Sequence, residues 1–118
     1  MKLSNPKAKG SLTGAQTAGI PTIRILPEYL KLIKEGKKNA EIRKWYRDFT
    51  GKLVGLVLTG DELNKIRLVV KFGQILDIRN IDEDDKNMIL DDCLVSQKFR
   101  ENYECNYVYC IDEIYTIQ

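Results

Sequence analysis

Histidine is absent from the 118 residues. That removes the commonest metal ligand, the usual general base near neutral pH and every Ser-His or Cys-His nucleophile pair. Any chemistry must therefore run on Lys, Glu, Asp, Ser, Thr, Tyr or Cys. Cysteine is scarce: Cys93, Cys105 and Cys110 are an odd number with no C-x-x-C pair, so neither a disulfide framework nor a thiolate zinc site has its usual spacing. They read as reduced, mostly buried thiols, and no metal or cofactor is expected. No apolar run approaches the roughly 20 residues that cross a bilayer, and the opening MKLSNPKAKGSLTG lacks the apolar centre of a signal peptide. The expectation is a cytoplasmic protein with no membrane partner. A strongly basic balance is missing too: 19 Lys+Arg against 17 Asp+Glu leave a net charge of +2, so net charge by itself does not point to nucleic acid.

What is present is enough for one compact domain, with 43% hydrophobic and 31% charged residues over a length that supports a single core. The charge is divided unevenly. Residues 1–60 hold 12 Lys+Arg and 4 Asp+Glu, net +8, whereas residues 61–118 hold 7 and 13, net −6. If the first half forms one contiguous surface, it attracts phosphate or another anion despite the small total. Residues 1–20, with almost no large apolar side chain, cannot bury enough surface to offset ordering entropy; they read as a flexible basic tail ahead of a single domain over residues 21–118.

From Pro21 the pattern changes. Thr22 to Leu26 alternates as a short strand, and Pro27 then opens a helix whose stripe is Tyr29, Leu30, Leu32 and Ile33. Gly36 ends it, as a left-handed cap requires. Lys38 to Trp45 can run extended, with Ala40 and Ile42 on one face and Glu41, Arg43 and Trp45 on the other. The apolar run Gly51 to Leu58 and the segment Lys65 to Ile78, separated by Thr59-Gly60-Asp61-Glu62, should pair antiparallel. Asp82 to Tyr103 reads as helical, acidic in its first turns and breaking near Ser96. Tyr107 to Ile117 closes the chain as an aromatic and β-branched strand. Short strands with helices between them imply an α+β domain whose sheet curls into a small barrel.

The informative stretch is Gly36-Lys37-Lys38-Asn39-Ala40-Glu41-Ile42-Arg43-Lys44-Trp45, which sets two cations and a carboxylate around one helix-to-strand corner. Here the chain resembles the ASCH domain family of the PUA-like superfamily, whose signature G-x-K-x-x-E-x-R is matched by Gly36, Lys38, Glu41 and Arg43. The resemblance extends over nearly everything after residue 20. It implies a PUA-like β-barrel of five to six mostly antiparallel strands with two or three helices, and a cleft lined by Lys38, Glu41 and Arg43 that binds RNA or a nucleotide. The residue chemistry agrees: Arg43 can fork two hydrogen bonds to phosphate or a base edge, Lys38 is a compact charge, and Glu41 can accept from an exocyclic amine. Trp45 and Tyr46 can stack on an unpaired base, with Lys37 and Lys44 as flanking cations. The plainer alternative is an ion pair between Glu41 and Arg43.

Two other functions stay open. One branch of the family looks like amidohydrolases acting on N4-acetylcytidine through a lysine, a threonine and a glutamate. Lys38 matches the lysine, but Glu41 stands where the threonine would, so Lys38 and Glu41 are the catalytic candidates only if the chain is an enzyme; ribonuclease activity is the remoter enzymatic reading. Alternatively, the acidic segment 82–92 can dock a basic protein partner. It lacks the glycine and ligand spacing of an EF-hand.

Overall fold

The computed structural model describes residues 3–118. In chain order it has β1 (Lys7–Leu12), α1 (Gly14–Thr17), β2 (Thr22–Ile25), α2 (Pro27–Lys34), β3 (Ala40–Arg43), β4 (Leu53–Leu58), β5 (Ile66–Asp77), α3 (Glu83–Asp92), α4 (Gln97–Asn102) and β6 (Tyr107–Ile117). The architecture is α+β, with one mixed six-stranded sheet in the order β1-β6-β5-β4-β2 and β3 branching from β6.

Register explains the branch. One edge of β6 pairs antiparallel with β5. Its other edge is shared, with Tyr107 to Cys110 taken antiparallel by β3 and Glu113 to Ile117 taken in parallel by β1. At the far side β4 pairs antiparallel with β5, as expected, and in parallel with β2. No ladder among the described residues joins β2 to β3 or β1. The expected barrel is therefore corrected to an open sheet, with an unclosed seam between β2 and β3.

The segment read as a tail contains β1 and α1. Its backbone explains why apolar side chains were not needed: the strand is held by the parallel ladder to β6 and by a Ser11–Thr116 hydroxyl contact at 2.7 Å. The short helix is closed by a reciprocal Thr13–Gln16 capping box, which satisfies two otherwise orphaned donors.

Burial follows strand alternation. On β6, Tyr109 and Ile111 enter a core with Phe49, Leu56, Leu68, Phe72 and Ile33 from α2. Val108 enters a second cluster with Ala40, Ile42, Leu90, Cys93 and Val95, while Phe99 packs against both. The helical region breaks between α3 and α4, near Ser96 as its pattern indicates: Leu94 takes a positive φ of 59°, and the Ser96 side chain accepts from the Phe99 N–H to start α4. No helix among the described residues is long and apolar enough to cross a membrane.

Candidate functional site

The informative segment begins at a helix end. α2 closes in a Schellman arrangement: Gly36 N–H donates to Ile33 C=O at 2.9 Å and Lys37 N–H to Leu32 C=O at 2.9 Å. Gly36 sits at φ +75° with open space where a Cβ would stand, so its role is conformational. Lys37 then faces solvent and pairs with Glu35 at 3.5 Å.

The next turn sends Lys38 inward. At 1% exposure it is among the largest fully buried side chains in the protein. Its Nζ donates to the Cys93 carbonyl at 2.6 Å and lies 4.4 Å from the Tyr29 ring centroid. Burial lowers the amine's pKa, against the attraction of Glu41, because a low-dielectric interior disfavours the charged form. Cys93 beside it has its thiol pushed up to about 12 by burial and stays protonated.

Glu41 and Arg43 sit on the same face of β3, as alternation requires. Glu41 is 5% exposed. Its Oε1 accepts from Ile42 N–H at 3.2 Å and faces Arg43 Nε at 3.8 Å, while Oε2 has no hydrogen-bond partner among the described residues. Burial raises the Glu41 pKa; Arg43 and Lys38 pull against that shift. The plainer sequence expectation, an ion pair between the two, is thus present, but in a buried setting where an incompletely hydrogen-bonded carboxylate is costly. Arg43 also reaches across the open seam, its Nη2 donating to the Arg24 carbonyl of β2. The Arg24 guanidinium in turn holds the β4–β5 turn through Leu58 and Asp61 carbonyls and Asn64.

The seam opens into a cavity of about 750 Å³. One wall is Thr22 to Leu26 of β2, the other is Glu41 to Trp45, and Tyr29, Phe49 and Tyr109 underlie it. Asn102, Tyr103 and Glu104, after α4, complete the rim. Trp45 is 72% exposed at this rim. Its loop is pinned by Tyr109, whose hydroxyl donates to Trp45 C=O at 2.7 Å and accepts from Arg47 N–H at 2.8 Å. Lys44 lies 5.0 Å from the Trp45 ring centroid and pairs with Glu104 at 3.7 Å.

Of the residues singled out in the sequence, Glu41, Arg43, Lys44 and Trp45 line this cavity; Gly36, Lys37, Lys38 and Tyr46 do not. Lys38 lies behind the Tyr29 ring, because the cap that ends α2 turns its stem into the protein. Tyr46 instead leans on Tyr107, with centroids 5.6 Å apart. Sequence reasoning missed Arg24, Arg47, Tyr103 and Tyr109. Tyr109 was visible only as one of several aromatics in β6, and Tyr103 only as the last residue of a helix. The acidic segment has internal duties: Asp82 caps α3, Asp91 pairs with Arg100 at 2.6 Å, and Asp92 accepts from Leu3 N–H at 2.8 Å.

Residues 23–114 match the ASCH domain family model. Among solved structures, the chain is similar to a tyrosine-to-phenylalanine mutant of the ASCH protein from Zymomonas mobilis, with 17% identity, 82% of this chain and 71% of that chain covered, and a TM-score of 0.61. A second structure, of ASCH from Zymomonas mobilis, has 16% identity, 80% and 68% coverage and a TM-score of 0.60. At these identities the likeness speaks for the fold. No curated protein matches the chain.

Proposed function

Because the chain belongs to the ASCH domain family, by a match over residues 23–114, we propose that it is an RNA- or nucleotide-binding module whose ligand enters the β2–β3 seam. The observation that supports this most is the composition of one cavity: Arg43, Lys44 and Arg47 stand around it, Trp45 lies exposed on its rim, and the Glu41 carboxylate is buried in its wall. Cations bind phosphate, an exposed indole stacks on an unpaired base, and a carboxylate accepts from an exocyclic amine. A cavity of this size falls in the range of small-molecule and cofactor sites, about 300–1,000 Å³.

Hydrolysis of N4-acetylcytidine is the alternative reading, and it ranks second for a geometric reason. Its lysine would be Lys38, whose amine is tied to the Cys93 carbonyl away from the cavity lining. A general base or nucleophile must come within hydrogen-bond reach of the reacting group, so Lys38 would have to change rotamer first.

The test is anisotropy of a fluorescently labelled, single-stranded RNA of mixed sequence, titrated with wild type, Arg43→Ala and Arg47→Ala. Saturable binding that weakens several-fold in each variant, and falls with added salt as counterion release demands, is expected. Binding that ignores both variants would overturn the assignment of the seam. Incubation with N4-acetylcytidine followed by mass spectrometry separates the two readings, since loss of the acetyl group would put hydrolysis first.

A further inference from the structure

Tyr103 is exposed at 59% yet held in place. Its ring stacks on Phe99, with centroids 4.6 Å apart and planes at 28°; Phe99 meets Tyr29 edge-on at 5.7 Å. Tyr29 is itself fixed, its hydroxyl lying 3.2 Å from Ser96 Oγ and accepting from Ser96 N–H at 3.1 Å. Three rings therefore form a column from the buried Lys38 amine to the surface, ending in the Tyr103 ring. A tyrosine immobilised in this way has already lost its rotamer freedom, so stacking a planar ligand on it adds little further ordering cost.

Tyr103 is also a boundary. With Glu104 it lines the seam cavity, and the same two residues line a second cavity of about 440 Å³ between α3 and α4. The two cavities thus meet across one aromatic ridge. The second is bordered by Lys86, Asn87, Gln97, Arg100 and Asn106, with Glu83 as its other acidic member. Two of the charges there are already engaged: Glu104 by Lys44 at 3.7 Å and Arg100 by Asp91 at 2.6 Å. Lys86 forms no ion pair among the described residues, and it lies on the same cavity wall as Asn87, whereas the Asn106 amide already donates to Lys44 C=O at 3.2 Å and to Glu104 Oε2 at 3.3 Å. An ammonium with no ion-pair partner beside a side-chain amide can serve a phosphodiester, or the sugar and base edge of a neighbouring nucleotide.

We infer that the chain binds two consecutive unpaired nucleotides: one in the seam cavity beside Trp45, the next beyond the Tyr103 ridge in the second cavity, with Lys86 on the phosphate side. This rests on the nucleotide-binding reading of the seam and deepens it to a single-stranded ligand at least two nucleotides long. A duplex does not meet the requirement, because its bases are stacked on each other and unavailable to Trp45 or Tyr103.

Trp45 is the only tryptophan in the sequence, so intrinsic emission excited at the red edge reports the seam alone. The experiment titrates the full chain with a ribonucleoside monophosphate, the corresponding dinucleotide, a tetranucleotide and a short duplex. It is followed by Trp45 emission and by calorimetry, and repeated for Tyr103→Ala, Tyr103→Phe and Lys86→Ala. The dinucleotide should bind about tenfold tighter than the mononucleotide, the scale of one stacked base. Tyr103→Ala should abolish that gain, Tyr103→Phe should retain it, and Lys86→Ala, outside the seam cavity, should reduce it while leaving mononucleotide affinity within about twofold. Equal affinity for mono- and dinucleotide, a gain untouched by Tyr103→Ala, or a preference for the duplex would each overturn the second subsite. If no nucleotide of any length binds the wild type, the seam reading itself fails, which is a separate outcome.

Discussion

Glu41 and Lys38 make a buried pair of opposite sign that share no direct hydrogen bond among the described residues, and their burial fixes the sign of their effect on stability. The Glu41 carboxyl is held above its ordinary value of 4.5, so between that value and its folded pKa the native state keeps a proton that the unfolded chain has lost. Its contribution is fully present below about pH 4.5 and declines as pH rises through the folded value. Lys38 is shifted below its ordinary 10.5. The unfolded chain then binds the extra proton, and stability lost to burying the amine returns as pH climbs toward 10.5. Urea denaturation across pH should show wild type losing stability relative to Glu41→Gln above pH 4.5, and regaining it relative to Lys38→Met on the alkaline side. A flat difference in either comparison would contradict the assigned burial. Glu41 and Arg43 were legible because a two-residue spacing on a strand places both on one face. The burial of Lys38 was not, since it depends on Cys93 and Tyr29 arriving from distant parts of the chain.

At the scale of elements, the end of α2 and the loop after β3 decide where the cavity walls stand. Gly36→Ala places a Cβ in the left-handed region with nothing to clash against, so its effect is purely conformational. A loss of about 1 kcal/mol is expected in thermal or chemical denaturation, with ligand affinity little changed. Tyr109→Phe removes a hydroxyl that serves both Trp45 C=O and Arg47 N–H. It should cost about 1 kcal/mol and, more tellingly, alter Trp45 emission and weaken RNA binding, because the loop bearing both groups loses its anchor. A Tyr109→Phe protein with unchanged emission and affinity would show that the loop is held by other contacts. The helix stop at Gly36, the antiparallel β4–β5 pair and the closing strand were legible from local pattern. β1 was not, because its ladder to β6 is made by the backbone and leaves no apolar alternation in Lys7 to Leu12.

At the scale of the molecule, the open sheet and the cavity are one feature: the edges of β2 and β3 that carry no ladder among the described residues face each other, and Arg43 spans the gap to Arg24. Closure could not be read from the strand count, since the number and order of strands are the same for an open sheet and a closed one. Nor could the aromatic rim, which joins residues 45 and 103. The uneven charge distribution has a consequence here. Arg43, Lys44 and Arg47 come from the basic first half and Glu104 from the acidic second, so affinity should fall with salt on a shallow slope. Two or three phosphate contacts correspond to a log–log slope of about −1.4 to −2.1 for a single strand, and a slope near zero would argue against phosphate contact.

The most direct test of the seam as a nucleotide site is a two-dimensional amide NMR titration of the isotopically labelled protein with a short single-stranded RNA. Shifts that saturate and concentrate at Thr22 to Leu26, Glu41 to Arg47 and Asn102 to Glu104 are expected. Shifts confined to residues 82–92, or none at RNA concentrations reaching the millimolar range, would contradict the seam as the site.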